Sequence, residues 1–348
     1  MPSRRPGFEI GGERIAPGER RIVDLPLSVL SNHTPMTLPV QVLHGQRDGP
    51  TVFVSAAVHG DEIIGVEIVR RLVRSSALRR ISGTLLLIPI VNAFGFIGHS
   101  RYLPDRRDLN RSFPGSETGS LASQLAHLFL NDVVARSDYG IDLHSAAVNR
   151  INLPQIRVSP DDEDAGKLAN VFGAPVILHS ALRDGSLRYA AGELGVPVLV
   201  YEAGEGLRFD EFAIRVGVKG VLRVLKHLGM ISGRSIKVGN IATPVVRKSS
   251  WLRAPEGGIL RTLRNVGDHV ARDETVGLIS DPFGASEAEV RATAAGLIVG
   301  RTNLPVINRG DALFHIAQMP KAATVETVMG AIGEDMIADP LFDEDEII

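Results

Sequence analysis

The run Val52-Phe53-Val54-Ser55-Ala56-Ala57-Val58, followed at once by His59-Gly60-Asp61-Glu62, constrains the fold more than any other stretch of the chain. An apolar run of this length bounded by a Gly-Asp turn reads as a strand covered on both faces. Behind the turn, Gly65, Ile68, Val69, Leu72 and Val73 fall on one helical stripe, and Glu67, Arg70, Arg71 and Arg74 on the other. His59 and Glu62, in an H-x-x-E spacing, sit at the junction and are both able to ligate a metal. If the first helical turn begins at Gly60-Asp61, the two side chains converge on one ion.

The same alternation continues. Residues 21–30 and 36–43 read as an antiparallel pair. Residues 84–91, 139–145, 176–179 and 197–202 read as strands, and 120–136, 186–194 and 209–228 as helices. Ser186 is the expected N-cap of its helix, and Gly229 the C′ residue of the last one. Strands alternating with helices predict an α/β domain with a largely parallel sheet. Residues 1–20 are Gly-, Pro- and charge-rich and read as an arm or loops. Residues 92–117 form a polar stretch without periodicity, and a loop of that length inside a domain is commonly functional.

Beyond Ile236 helical stripes vanish and short β patterns with Gly-Asp turns take over. Gly257-Gly258-Ile259-Leu260 leads to Val266-Gly267-Asp268-His269-Val270. Ala295-Gly296-Leu297-Ile298 leads to Asn308-Arg309-Gly310-Asp311-Ala312. Two quasi-equivalent halves predict a small flattened barrel or sandwich. The organisation expected is therefore an α/β domain with an N-terminal β arm over 1–234, a β module over 235–320 and an acidic tail over 321–348. A chain of 348 residues has room for about two domains.

The chain has no cysteine, so any metal must be held by histidine and carboxylate. A catalytic zinc typically takes three protein ligands and keeps a fourth position open. His59 and Glu62 supply two, and the third is expected at the C-terminal end of a neighbouring strand. His144 fits, because Asp142 and His144 face one way and Ile141 and Leu143 the other. Asp142 can then orient the imidazole from behind. Amide hydrolysis also needs a group that takes a proton from water and returns it to the leaving amine. Glu202 ends an apolar strand and precedes Ala203-Gly204, with Glu193 and Glu205 as rivals. Charge is nearly balanced, 38 basic against 40 acidic residues, which argues for neither nucleic acid nor an anionic membrane as partner. The first residues hold no apolar signal-peptide core, and no apolar run is long enough to cross a bilayer, so a soluble cytoplasmic protein is the expectation.

Four motifs now stand in order: His59-Gly60-Asp61-Glu62, Asp108-Leu109-Asn110-Arg111, Asp142-Leu143-His144 and Tyr201-Glu202-Ala203-Gly204. Over residues 20–320 the chain resembles the succinylglutamate desuccinylase/aspartoacylase family, a branch of the zinc carboxypeptidase-like superfamily. The resemblance implies a zinc-carboxypeptidase-like α/β fold, with a mixed, mostly parallel sheet flanked by helices and followed by a small all-β barrel-sandwich module. It implies one zinc ion per chain on His59, Glu62 and His144, and Glu202 as general base and acid. Asn110 and Arg111 match the pair that binds a substrate carboxylate. Arg101 resembles the arginine that stabilises the oxyanion, with Arg106 and Arg107 as competitors. The implied activity is hydrolysis of an N-acyl amino acid or related small N-acylated compound; the alternative is a metallocarboxypeptidase acting on small peptides. Family members often form homo-oligomers. The β module resembles a biotinyl or lipoyl domain, but no lysine lies between Ser249 and Pro320, which argues against covalent carriage.

Overall fold

The structure, a computed structural model, describes residues 5–233 and 243–319, with residues 329, 330 and 333. The arm at the N-terminus is a hairpin of β1 (Phe8–Ile10) and β2 (Glu13–Ile15). It leads into β3 (Arg20–Val29), β4 (Pro35–His44) and β5 (Arg47–Ala56). Next come α1 (Ile64–Arg74), β6 (Ser82–Ile88), the short α2 (Ala93–Ile97) and α3 (Leu121–Asp132). β7 (Tyr139–Ala146), β8 (Arg150–Val158), α4 (Glu163–Phe172), β9 (Val176–His179), α5 (Leu187–Glu193), β10 (Val198–Glu205) and α6 (Glu211–His227) complete this part.

Parallel pairing joins β6, β5, β7 and β10 at the sheet's centre, and antiparallel strands extend it on both sides. The period of two along β5 assigns the helices to its faces. Val52, Val54 and Ala56 pack in one cluster with α1, α4 and α6. Phe53 points the other way, into a cluster with α3, α5 and the β1–β2 hairpin. Ser120, Asp162, Ser186 and Asp210 cap α3, α4, α5 and α6 with their side chains. Gly229, at φ 71°, follows the C-cap of α6 as expected.

The sequence reading places no element between residues 145 and 176, yet β8 and α4 lie there. Pro154 in the middle of β8 is the reason, since proline cannot serve a central ladder. On one side β8 pairs with β9 through Gln155–Val158, and nearer its start with a strand of the β module through Arg150–Asn152. Pro154 falls between these two registers, where no N–H is required. The polar stretch 92–117 is also more ordered than its composition suggests. Leu103, Leu109 and Phe113 are buried in the α3 cluster, and Leu109–Arg111 form a 3-10 turn.

The β module holds β11 (Val245–Val246), β12 (Ser249–Arg253), β13 (Gly258–Thr262), β14 (His269–Val270) and β15 (Thr275–Ser280). β16 (Glu287–Arg291), β17 (Gly296–Thr302), β18 (Val306–Ile307) and β19 (Ala312–Gln318) follow. The two repeat turns carry the same hydrogen bond. Asn265 N–H donates to Asp268 Oδ2 and Asn308 N–H to Asp311 Oδ2, both at 2.7 Å. β13, β15, β16 and β18 form a separate sheet, while β12, β19 and β17 continue the large one through β8. Residue 234 and the acidic residues 343–346 lie outside the described residues. No described helix is long and apolar enough to cross a membrane.

His315 of β19 stacks on Trp251 of β12, with ring centroids 4.9 Å apart and planes at 9°. Burial, with the charge of Arg157 added, pushes its imidazole from 6.5 down to about 4. Between those values the unfolded chain takes up a proton that the folded chain refuses. His315 therefore carries no penalty above the upper value and a growing one as pH falls through the window, up to about 3 kcal/mol. His315→Phe should flatten that limb of the stability–pH curve. Urea titrations with the same slope in both proteins would remove His315 as its cause.

Candidate metal centre and active-site cleft

The turn between β5 and α1 brings the first two candidate ligands together, though not by the expected route. α1 begins at Ile64, so neither His59 nor Glu62 is helical. Instead the Glu62 N–H donates to the His59 carbonyl at 3.1 Å and closes a turn ahead of the helix. Gly60 is required at its bend: a Cβ there would lie 1.9 Å from the backbone carbon of Gly95. His144 arrives from β7, the neighbour of β5. Ile141 and Leu143 enter the cluster packed on α1, which sends Asp142 and His144 to the opposite face.

Glu62 stands at the centre. Its Oε1 lies 2.7 Å from His59 Nδ1 and its Oε2 2.7 Å from His144 Nδ1. The three side chains are 4%, 2% and 3% exposed for His59, Glu62 and His144. Both histidines are held from behind through Nε2, His59 by Asp108 Oδ1 at 3.1 Å and His144 by Asp142 Oδ2 at 2.6 Å. Asp142 in turn accepts from Ser55 Oγ at 2.7 Å. Burial disfavours charge on His144, but Asp142 and Glu62 outweigh it and hold its pKa well above the ordinary imidazole value. Burial opposes charge on His59 too, and Glu62 and Asp108 prevail there as well. Glu62 is likewise desolvated, yet the two histidines keep it well below the usual carboxylate range.

This donor set fits a metal ion. One ligand atom from each of the three side chains lies within 4.8 Å of the others. Two imidazoles and a carboxylate, with no thiolate, suit a divalent ion of borderline softness and leave a coordination position open. A carboxylate behind each imidazole aims Nδ1 inward and raises its basicity. Among the described residues His59, Glu62 and His144 form a group that could bind a metal.

A cleft of about 260 Å³ opens onto this trio. Glu202 lines it from β10, where it pairs in register with His144. The β10 register shifts just after Glu202, and Gly204 takes a φ of 66°. Such a bulge re-aims the strand end and its side chains. Arg101 reaches the trio, with Nη1 3.1 Å from Glu62 Oε1 and Nη2 3.0 Å from Asp108 Oδ2. Its rivals Arg106 and Arg107 do not line the cleft. Asn110 and Arg111 do. Asn110 Oδ1 accepts from Leu187 N–H at 2.9 Å, and Arg111 donates to the Asn110 carbonyl, with no carboxylate partner among the described residues. The rival carboxylates Glu193 and Glu205 lie outside the cleft, and Glu205 instead binds Asn149 and Asn303.

Several lining residues escape the sequence reading: Asn152 and Arg157 from β8, Arg183 and Arg188 around the start of α5, and Trp251 from the β module. β8 itself was missed, which hides the first two. Burial, together with the charge of Arg157, pushes the Arg188 guanidinium down to about 10. Asp108 lies in one of the four motifs, but that it backs His59 becomes visible only once 49 residues of chain have folded back.

The chain is similar to several known proteins. An N-alpha-acetyl-L-2,4-diaminobutyric acid deacetylase from Halomonas elongata is 29% identical over 206 residues, 56% of this chain and 59% of that protein. A succinylglutamate desuccinylase from Burkholderia lata is 30% identical over 182 residues, 46% of this chain and 50% of that protein. The chain thus spans between half and three-fifths of the length of these curated relatives. A crystal structure of a succinylglutamate desuccinylase/aspartoacylase from Rhodobacter sphaeroides superposes with a TM-score of 0.77 at 26% identity, covering 87% of this chain and 96% of that one. Residues 48–228, which carry the four motifs and every strand end around the trio, match the succinylglutamate desuccinylase/aspartoacylase catalytic domain, and the chain belongs to that family.

Proposed function

We propose that the protein is a zinc-dependent amidohydrolase that removes the acyl group from an N-acyl amino acid or a related small N-acylated compound. One observation carries the reading: the buried His59–Glu62–His144 trio and the carboxylate of Glu202 face the same small, arginine-lined cleft. The names of the curated relatives, a deacetylase and a desuccinylase, favour an N-acyl amide over a peptide. Of the six arginines in the lining, Arg101 and Arg157 pair with Glu62 and Glu202, and the other four, Arg111, Arg150, Arg183 and Arg188, suit a substrate with a free carboxylate.

His59, Glu62 and His144 would hold one zinc ion per chain. When bound, zinc supplies Lewis acidity and lowers the pKa of water at the site toward about 7. Glu202 accepts the proton of the attacking water and later delivers it to the nitrogen of the departing amine. Arg101 donates to the oxygen on which charge develops. Asn110 and Arg111 hold the substrate's carboxylate, Arg111 through a fork of donors that matches it. Asp142 and Asp108 keep the imidazoles oriented throughout.

The direct test is a panel of N-acyl amino acids and dipeptides offered to zinc-loaded protein and read by released amine. Hydrolysis of N-acyl amino acids, lost on chelation and regained with zinc, is expected. Cleavage of dipeptides alone would sink the deacylase reading in favour of a carboxypeptidase. Glu202→Gln should retain the metal and lose turnover. Arg101→Ala should slow turnover by about 10²–10³-fold, as for loss of one oxyanion donor, and an unchanged kcat would rule Arg101 out. Asp142→Asn should weaken zinc binding by about 10–100-fold in a competition titration. Equal affinity in the two proteins would mean that Asp142 does not support His144.

A further inference from the structure

Glu202 does not stand alone in the cleft. β8 runs antiparallel to β10 on the side away from β7, and two of its side chains reach across. Asn152 Nδ2 donates to Glu202 Oε2 at 3.0 Å, and Arg157 Nη1 lies 3.3 Å from Glu202 Oε1. Each oxygen of the carboxylate therefore faces its own partner, an amide donor on one and a guanidinium charge on the other. These contacts come from the same strand, five residues apart, on either side of the irregularity in its pairing with β10. Neither residue bonds to His59, Glu62 or His144.

The hold extends into the β module. Asn152 is buried and pairs in register with Gly300 of β17. A Cβ at residue 300 would stand 2.7 Å from Asn152 Oδ1 and 3.3 Å from the Ile151 carbonyl. Glycine leaves the Asn152 amide the room it needs to turn its NH2 toward Glu202. Arg157 lies near the same module: its charge adds to the depression of His315, whose ring belongs to β19 and stacks on Trp251.

We propose that Asn152 and Arg157 are positioning residues for Glu202, and that the β module sets the first of them through Gly300. The inference rests on the reading of Glu202 as the proton carrier. A proton acceptor must meet the attacking water and then the amine nitrogen within hydrogen-bond reach, and a carboxylate free to rotate samples many orientations that miss both. A hydrogen bond on one oxygen and an ion pair on the other restrict it to one orientation before substrate arrives. The β module thereby acts on the proton-transfer step as well as forming part of the cleft wall.

The test uses the full, zinc-loaded protein and an N-acyl amino acid that it hydrolyses. Asn152→Ala and Arg157→Gln should each lower kcat about tenfold or more, since misplacing a reacting group by about 1 Å can cost 10²-fold. KM, zinc stoichiometry and melting temperature should stay near those of the parent. Arg157→Lys should recover part of the loss. Gly300→Ala should reproduce the Asn152→Ala defect, although residue 300 touches neither ligand nor base. The decisive measurement is the same substitution in a Glu202→Gln background, where a residue acting only through Glu202 has nothing further to lose. An equal fold-loss from Asn152→Ala in both backgrounds overturns the proposal, as does a kcat loss that only tracks the folded fraction. Unchanged kcat in Asn152→Ala and Arg157→Gln, with Glu202→Gln inactive, overturns the positioning role and leaves the proposed function standing. Full turnover in Glu202→Gln alone removes the base assignment and this role with it.

Discussion

A carboxylate taken out of water between two imidazoles is the constraint on which the rest of the site depends. Glu62 is 2% exposed, and a buried charge of that kind is tolerated only when it is paired and hydrogen-bonded. His59 and His144 provide the pairing, each at 2.7 Å, and the Ser145 N–H adds a donor at 3.2 Å. The histidines need support in turn, and Asp108 and Asp142 supply it from the outer side. Arg101 then balances Glu62 and Asp108 together. The result is a network in which removing one member leaves a desolvated charge without its partner, so its effects spread beyond the group removed.

The sheet explains why this network can be built at all. His59 follows the end of β5, His144 lies near the end of β7 and Glu202 near the end of β10, and those three strands are adjacent and parallel. Parallel pairing gathers the C-terminal ends of the strands on one edge, where the connecting loops can add Arg101, Asn110 and Arg111. Antiparallel β8 then presents side chains to Glu202 from the far side, and through β17 ties that edge to the β module. The module is therefore continuous with the catalytic domain by backbone hydrogen bonds, and its Trp251 reaches the cleft.

Much of this was legible in local sequence because the signals are local. The apolar run into His59, the alternation of Asp142 and His144 against Ile141 and Leu143, and the Gly-Asp turns of the two β halves each report a short-range periodicity. The structure places His59, Glu62, His144, Asp142, Glu202, Arg101, Asn110 and Arg111 on one cleft. What was illegible depended on partners. β8 carries Pro154, and its alternation of polar residues breaks there, Arg150 and Asn152 being out of phase with Gln155 and Arg157, so it resembles a loop until its neighbours are known. Asp108 behind His59 and Asn152 beside Glu202 are separated from their partners by 49 and 50 residues. Even the H-x-x-E convergence was expected from a helical turn, whereas a non-helical turn packed against Gly95 produces it.

The sequence by itself determined the kinds of element, their order and the residue types able to hold a metal and move a proton, because periodicity and side-chain chemistry are properties of neighbouring residues. Tertiary structure alone decided which carboxylate backs which histidine, which arginine reaches the trio, and which strand grips Glu202. Those choices rest on strand order and register, and register follows from which distant faces bury each other rather than from any stretch read in isolation.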